Sequence, residues 1–333
     1  MLDLSELGEF GLIEVLRRRA GARSRSWRLV IGDDAALLRP RAGHDLVWTV
    51  DALMEGVHFR WTTTEPRLLG RKALRINLSD VAAMGARPLG FLLTLSLPPE
   101  TPPERLDGFV AGLLKEAATQ SCPLVGGDTT RASSWALSIS VVGEVAQSRE
   151  LRRDRARVGD RLMLVGELGA SALGLHVLER GAPRDARERR FARRHQLPDP
   201  PIGAGPLLAR RGWARAALDV SDGLASDLGH LVSASRVAAE VQLERLPLAR
   251  GFRPACFARG LDPERLALIG GEDYGLLFAA PAGAPDASSL GRRLGKRVTE
   301  IGRIVTGSGI RWMRGAREVE PTLEGGFEHF KPL

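Results

Sequence analysis

Cysteine is nearly missing from this chain. Its two cysteines, Cys122 and Cys256, lie far apart and outside any CxxC spacing, which excludes a disulfide framework and a cysteine-ligated zinc site. None of the six histidines is paired at HxxxH spacing, so a transition-metal centre is not indicated, while hard-cation chemistry through oxygen ligands stays open. Lysine is scarce too. Only four lysines contribute to a formal net charge of +8, so the basic balance is carried by arginine. Aromatic residues make up 5% with a single tyrosine, and no ladder for stacking bases is visible. The arginines are scattered except in the helix-like run "ARERRFARR" at Ala186–Arg194, where glutamate is interleaved. The pattern reads as a solvated basic surface and not as a nucleic-acid face, and it favours phosphorylated small molecules. Long apolar runs are absent: the longest, Leu89–Leu97, is far too short to cross a bilayer. The beginning "MLDLSELGEF" is acidic and no small-residue cleavage site follows it, so a cytoplasmic location without a membrane partner is expected.

What remains is a globular composition, 44% hydrophobic and 26% charged over 333 residues, enough for two domains with real cores. Helical spacing marks Leu4–Arg18, a long stretch from Pro66 through "PRLLGRKALRINLSDVAAMGA", and a polar segment near 103–120. Strand-like runs fall at 27–31, 46–51, "PLGFLLTLSL", the approach to "LVGG" and "WALSISVVGEV". A second series starts near Val158 with "RLMLVG", "ASALGLHVLERG", "ARAALDV", "GLASDLGHLVSAS", "YGLLFAA" and "RVTEIGRIV". Strands alternate with helices in both halves, which predicts layered α/β domains over 1–147 and 148–333.

Acids recur where apolar runs stop. In "LVIGDDAALL" the adjacent Asp33 and Asp34 stand between two apolar runs, and like charges there are costly without a positive partner. Val47–Val50 runs into Asp51, Pro123–Val125 passes Gly126 and Gly127 into Asp128, and Ala216–Leu218 runs into Asp219 ahead of Ser221-Asp222-Gly223. Asp80 sits inside the apolar helical stretch with Asn77 one turn before it. Carboxylates gathered from strand ends are the donors magnesium takes together with phosphate oxygens. Each also has an ordinary reading. Asp33 reads as a turn former or a support for its neighbour, Asp222 also as a helix cap, and Asp227 as part of a solvated helix face. His58, in "MEGVHF", occupies an ordinary strand-edge setting on spacing alone. The familiar nucleotide signatures are missing: no GxxxxGK[ST], no GxGxxG leading a strand into a helix, no protein-kinase catalytic loop and no GxSxG elbow.

Seven segments in order, "GEFGLI", "IGDDAALL", "TVDALMEGVHF", "KALRINLSDVAAMGARP", "LVGGDTTRA", "ALDVSDGLASDLGH" and "GGEDYGLLF", resemble the thiamine-monophosphate kinases of the aminoimidazole-ribonucleotide-synthetase-like superfamily. The resemblance implies an N-terminal α/β domain whose strands form a barrel shared in a homodimer, and a C-terminal α/β domain closing over the nucleotide. It implies transfer of the ATP γ-phosphate to thiamine monophosphate, giving thiamine diphosphate and ADP. Carried over by position, the magnesium ligands fall on Asp34, Thr49, Val50 (through its main chain), Asp51, Asp80, Asp128, Asp219 and Asp222. ATP contacts fall on Gly127, Asp128, Arg153 and Ser221, and acceptor contacts on His58, Glu272 and Phe327. Departures from the family pattern are Val50 in place of a hydroxyl residue, Gly275 after "EDY", and Phe327 where another aromatic can stand. Selenophosphate synthetase would need a reactive N-terminal cysteine, and the hydrogenase-maturation dehydratase a C-terminal one; neither is present. Aminoimidazole-ribonucleotide synthetase is the enzymatic alternative, and a non-catalytic nucleotide or nucleic-acid binder is the alternative from another class.

Overall fold

In the computed structural model, which describes residues 4–21 and 26–323, the chain divides into two units. One reaches Val81 and resumes over Ala86–Ser148; the other takes Ala82–Gly85 and everything from Arg149 onward.

The first unit opens with α1 (Leu4–Ala20), interrupted at Gly8, then β1 (Trp27–Leu29), β2 (Leu37–Leu38) and β3 (His44–Met54). It continues through α2 (Pro66–Ala83), β4 (Arg87–Leu97), α3 (Pro103–Thr119), β5 (Leu124–Arg131) and β6 (Ala136–Ala146). Four strands form one sheet in the order β3-β6-β4-β5, antiparallel except for the β4–β5 pair. Period-two alternation gives the sheet two unlike faces. Leu53, Leu93, Leu95, Ile139 and Val141 are buried on one face, whereas Leu46, Trp48, Val50, Met54 and Leu92 are exposed on the other. Helix α3 starts with Pro103 at a first-turn position and buries Leu106, Phe109, Val110, Leu113 and Ala117, an i, i+3, i+4, i+7 stripe. On the same buried face Glu116 accepts hydrogen bonds from Arg71 and pairs with Arg75 of α2 at 2.8 and 2.9 Å. Burial alone would raise its carboxyl, but hydrogen bonds from Gln120, Arg75 and Arg71 outweigh this and hold it below the usual range. A buried acid held by two arginines fixes α2 against α3, and α2 carries Asn77 and Asp80.

The second unit begins with a short 3₁₀ turn at Arg153–Arg155, then β7 (Arg161–Val165), α4 (Ala170–Glu179), α5 (Ala186–Gln196), α6 (Ala204–Arg211), β8 (Ala216–Val220) and α7 (Leu224–Ser235). There follow β9 (Ala238–Gln242), α8 (Phe252–Phe257), α9 (Pro263–Ile269), β10 (Gly275–Ala280), α10 (Ala287–Leu294), β11 (Val298–Val305), β12 (Gly309–Arg314) and β13 (Arg317–Val319). Its sheet runs β13-β12-β9-β11-β7-β10-β8, and only the β12–β9 pair is parallel. Both units are thus mixed α/β, built mainly on antiparallel pairs.

Two of the acids do not stand at strand ends: Asp51 and Asp128 lie inside β3 and β5, because the ladder continues on main-chain hydrogen bonds after the apolar run has stopped, whereas Asp219 is the last residue but one of β8. The setting of Asp33 and Asp34 also differs from expectation. Their loop is open, both acids are exposed, and the following Leu37 is 56% exposed.

The arginine-rich run becomes α5, whose inward stripe is Glu188, Phe191, Ala192 and His195. Asp185 caps its first turn by accepting the Glu188 amide at 2.8 Å. The Glu188 carboxylate in turn accepts from the Arg184 amide and from both sides of the Arg259 guanidinium, each of the latter at 2.8 Å. The Arg259 hydrogen bonds, against some burial, pull Glu188 down to about 2 from 4.5. A carboxyl lowered on folding stabilises the fold fully above its unfolded value and loses that contribution as pH falls through 4.5 toward 2. Urea unfolding from about pH 6 to about pH 2 should therefore show the native chain losing stability more steeply below pH 4.5 than a Glu188→Gln variant. Parallel curves would contradict the pairing.

Candidate functional site

In the first unit the nominated residues fall into two groups. Thr49 and Asp51 point from β3 toward α2: the Thr49 hydroxyl donates to Asp80 Oδ2 at 2.7 Å, and the Asp51 amide donates to Asn77 Oδ1 at 3.0 Å. Asn77 Nδ2 donates to the Ala73 carbonyl one turn back, which fixes which way the amide faces. Val50 between them points the opposite way and is 61% exposed, so it offers this group only its main chain. His58 follows the strand. Its Nδ1 accepts the Met54 amide at 3.1 Å, so the proton of a neutral ring sits on Nε2. The loop bearing it is anchored by Glu55, whose carboxylate accepts the Trp135 amide, and by Phe59 edge-on to Trp61.

The second group lines a groove of about 1050 Å³ that includes Asp33, Asp34, Gly126, Gly127, Asp128 and Trp48. Asp33 Oδ1 accepts the Asp34 amide at 2.9 Å, a turn contact that orients its neighbour. At Gly127 a Cβ would lie 1.9 Å from the Leu93 carbonyl oxygen, so only glycine lets β5 pair with β4 and carry Asp128 on. The two groups are separate within the unit. Asp51 and Asp128 sit on the two edge strands, three strand spacings or about 14 Å apart, and the register places them on opposite faces.

In the second unit Asp219 is buried in β8, and the chain leaves the strand through Ser221, Asp222 and Gly223 into α7. Gly223 is the helix cap, with φ of 104° and no room for a Cβ, which would lie 2.8 Å from the Ile269 carbonyl carbon, and no side chain caps the helix; the capping reading of Asp222 is not what the structure shows. Asp227 corrects a second expectation. It is 4% exposed, not solvated, and its carboxylate accepts the Asp222 amide at 3.0 Å, shaping the turn from inside. Burial first, then the charges of Asp222 and Asp219, push its carboxyl up to about 7. The "GGEDY" segment runs alongside, with the Glu272 amide donating to the Ser221 carbonyl at 2.6 Å and the Tyr274 amide to the Val220 carbonyl at 2.8 Å.

Glu272 and Tyr274 both take the left-handed backbone region, at φ of 64° and 51°, which non-glycine residues adopt only where the surroundings hold them. Asp273 between them accepts amides of Gly169 and Ser171 at the start of α4, and burial pushes it up to about 7. Glu272 Oε2 lies 3.0 Å from His195 Nδ1. Arg153 is exposed, while its neighbours Arg152 and Arg155 pair with Asp154 and Glu150. The Arg153 carbonyl accepts the Ser235 hydroxyl at 2.6 Å. Phe327 lies outside the described residues.

Among the described residues no three acidic, imidazole or thiol groups stand together as a ready-made metal cage. Magnesium does not need one, because it keeps several waters and takes one or two carboxylates together with substrate phosphates. The donors here are all oxygen: carboxylates, hydroxyls and main-chain carbonyls. The residues therefore fit a magnesium–phosphate site and not a zinc or copper centre. Sequence reasoning missed His195, Ser171 and Asp273. Only the 188/191/192/195 stripe, which puts His195 on the buried side of α5, could have signalled the first.

Two domain families match the sequence: AIR synthase related protein, N-terminal domain, over residues 32–145, and AIR synthase related protein, C-terminal domain, over 157–313. The pair defines the class to which the two units conform. A thiamine-monophosphate kinase of Synechococcus elongatus is 37% identical over 338 residues, covering 98% of each chain. The crystal structure of thiamine-monophosphate kinase from Stenotrophomonas maltophilia aligns with a TM-score of 0.82 and 41% identity, over 92% of this chain and 96% of that one. AaThiL complexed with AMPPCP and TMP aligns with a TM-score of 0.78 and 34% identity over 99% of both. The chain belongs to the thiamine-monophosphate kinase family.

Gly127→Ala should lower stability by about 3 kcal/mol, since the added methyl must displace the Leu93 carbonyl from the β4–β5 ladder. Urea denaturation reads this, and a loss below about 0.5 kcal/mol would mean the close approach is not rigid.

Proposed function

We propose that this protein phosphorylates thiamine monophosphate with ATP, yielding thiamine diphosphate and ADP, the closing step in making that diphosphate. The observation that carries the reading is the full-length likeness to AaThiL complexed with AMPPCP and TMP. The two domains divide the work. Residues 1–147 supply Asp34, Thr49, Val50, Asp51, Asp80 and Asp128 for magnesium, and Gly127 with Asp128 for the ATP phosphates. Residues 148–333 supply Asp219 and Asp222 for magnesium, Ser221 and Arg153 for the nucleotide, and Glu272 and Phe327 for the acceptor. His58 presents Nε2–H to the acceptor, its other nitrogen being held by the Met54 amide.

Acceptor chemistry explains why no catalytic base is assigned. The second pKa of a phosphate monoester is about 6, so the attacking oxygen is already ionised at neutral pH. The barrier is the approach of two anions in line, and bound magnesium supplies the charge neutralisation that phosphoryl transfer requires. The chain's own residues hold position. Thr49 orients Asp80, Asn77 fixes the backbone at Asp51, and Asp33 fixes the backbone at Asp34. No covalent intermediate on the protein is needed.

The exposed apolar sheet face with Leu46, Trp48, Val50, Met54 and Leu92 is covered by a second copy of the chain, the two sheets closing a shared barrel in a homodimer. No helix among the described residues is long and apolar enough to cross a membrane, and the enzyme works in the cytoplasm.

An ADP-release assay with chromatography of the product tests the reading. Thiamine monophosphate, and neither free thiamine nor an aminoimidazole precursor, should give turnover that chelator abolishes. Asp51→Asn should lower kcat by roughly a hundredfold or more. Magnesium-dependent ATP binding without turnover on the monophosphate would overturn the substrate assignment.

A further inference from the structure

We propose that His195 is the positioning residue for Glu272, holding that carboxylate oriented for the cationic, amino-bearing ring end of the acceptor; this rests on the reading of Glu272 as an acceptor contact. Helix α5 delivers the imidazole on its buried stripe, where the side chain is 8% exposed. The helix is fixed at its other end by the Asp185 cap and the Glu188–Arg259 pair. His195 Nδ1 stands between two oxygens, Glu272 Oε2 at 3.0 Å and Ser171 Oγ at 3.1 Å. An ionised carboxylate can only accept, so Nδ1 carries the proton and donates it to Glu272, with the serine oxygen beside the same nitrogen.

Each member of this chain is itself held. Ser171 is 1% exposed, and its amide donates to Asp273 in the first turn of α4. Glu272 is pinned from the other side by the hydrogen bond its amide donates to the Ser221 carbonyl and by its left-handed backbone. It is still 28% exposed and lines a pocket of about 260 Å³ shared with Ser171, Arg194 and Lys296. The choice of imidazole has a physical reason. Lysine or arginine in this place would bring a permanent positive charge against the carboxylate, whereas an imidazole can fix it through a single N–H.

Steady-state kinetics of the full-length enzyme separate the KM for thiamine monophosphate from the KM for ATP. His195→Leu should raise the first about tenfold and leave the second unchanged, the size expected for a lost hydrogen bond to a charged group. His195→Asn, which keeps an N–H near the Nδ1 position, should return it to within about threefold of the native value. Adding His195→Leu to Glu272→Gln should do little beyond Glu272→Gln alone, because the two act as one unit. Should His195→Leu not fold, Ser171→Ala and His195→Asn carry the same comparison. An unchanged acceptor KM in the His195 variants, with Glu272→Gln raising it, overturns the proposal while Glu272 stays an acceptor contact. Equal rises in both KM values overturn it as well. An acceptor KM that Glu272→Gln leaves unmoved removes the reading of Glu272, and the role of His195 with it.

Discussion

Carboxylates repel one another, and burying them without compensation costs more than most single contacts return. This chain places acids inside regular structure, where they cannot swing away: Asp51 in β3, Asp128 in β5, Asp219 in β8 and Asp80 in α2. The neighbouring architecture follows from holding them. Asn77 and Thr49 bind the first cluster, Gly127 admits the second, and the turn after β8 is shaped by Asp227 under the charges of Asp219 and Asp222.

On the proposed reading of Glu272, the acceptor side would obey the same electrostatics with the sign of the ligand reversed. Glu272 faces a pocket in which Arg194 and Lys296 share Asp199 and Arg297 pairs with Glu167. One of its contacts is the His195 imidazole. Asp273, half-buried, spends its hydrogen-bonding capacity on the amides that begin α4 and so ties the strained "GGEDY" turn to the helix.

Much of this was legible in the sequence, for identifiable reasons. Helices α2 and α3 carry unbroken apolar stripes, and β4 and β6 are long apolar runs, so periodicity alone placed them. The alternation of strands and helices gave mixed α/β layers but not the partners of the strands, because period reports exposure and not pairing. Short elements such as β9, β13 and α8 have too few residues to show a period. The acids were placed at strand ends because side-chain character changes there, although the main-chain ladder does not. Asp227 lay within a helical pattern that looked solvated, and only the fold of the preceding turn buries it. The nominated residues came from motifs read in order. That Asp51 and Asp128 occupy opposite edges of one sheet was invisible until the register was known.

The central claim is that these aspartates act by binding metal and not as bases. The most direct measurement is a structure of the protein with magnesium, a non-hydrolysable ATP analogue and thiamine monophosphate. The account predicts metal–oxygen distances of about 2.0–2.1 Å from magnesium to carboxylates among Asp34, Asp51, Asp80, Asp128, Asp219 and Asp222, with phosphate oxygens completing the octahedra. Magnesium held by phosphates and water alone, or an aspartate hydrogen-bonded to the attacking oxygen as a base, would contradict it.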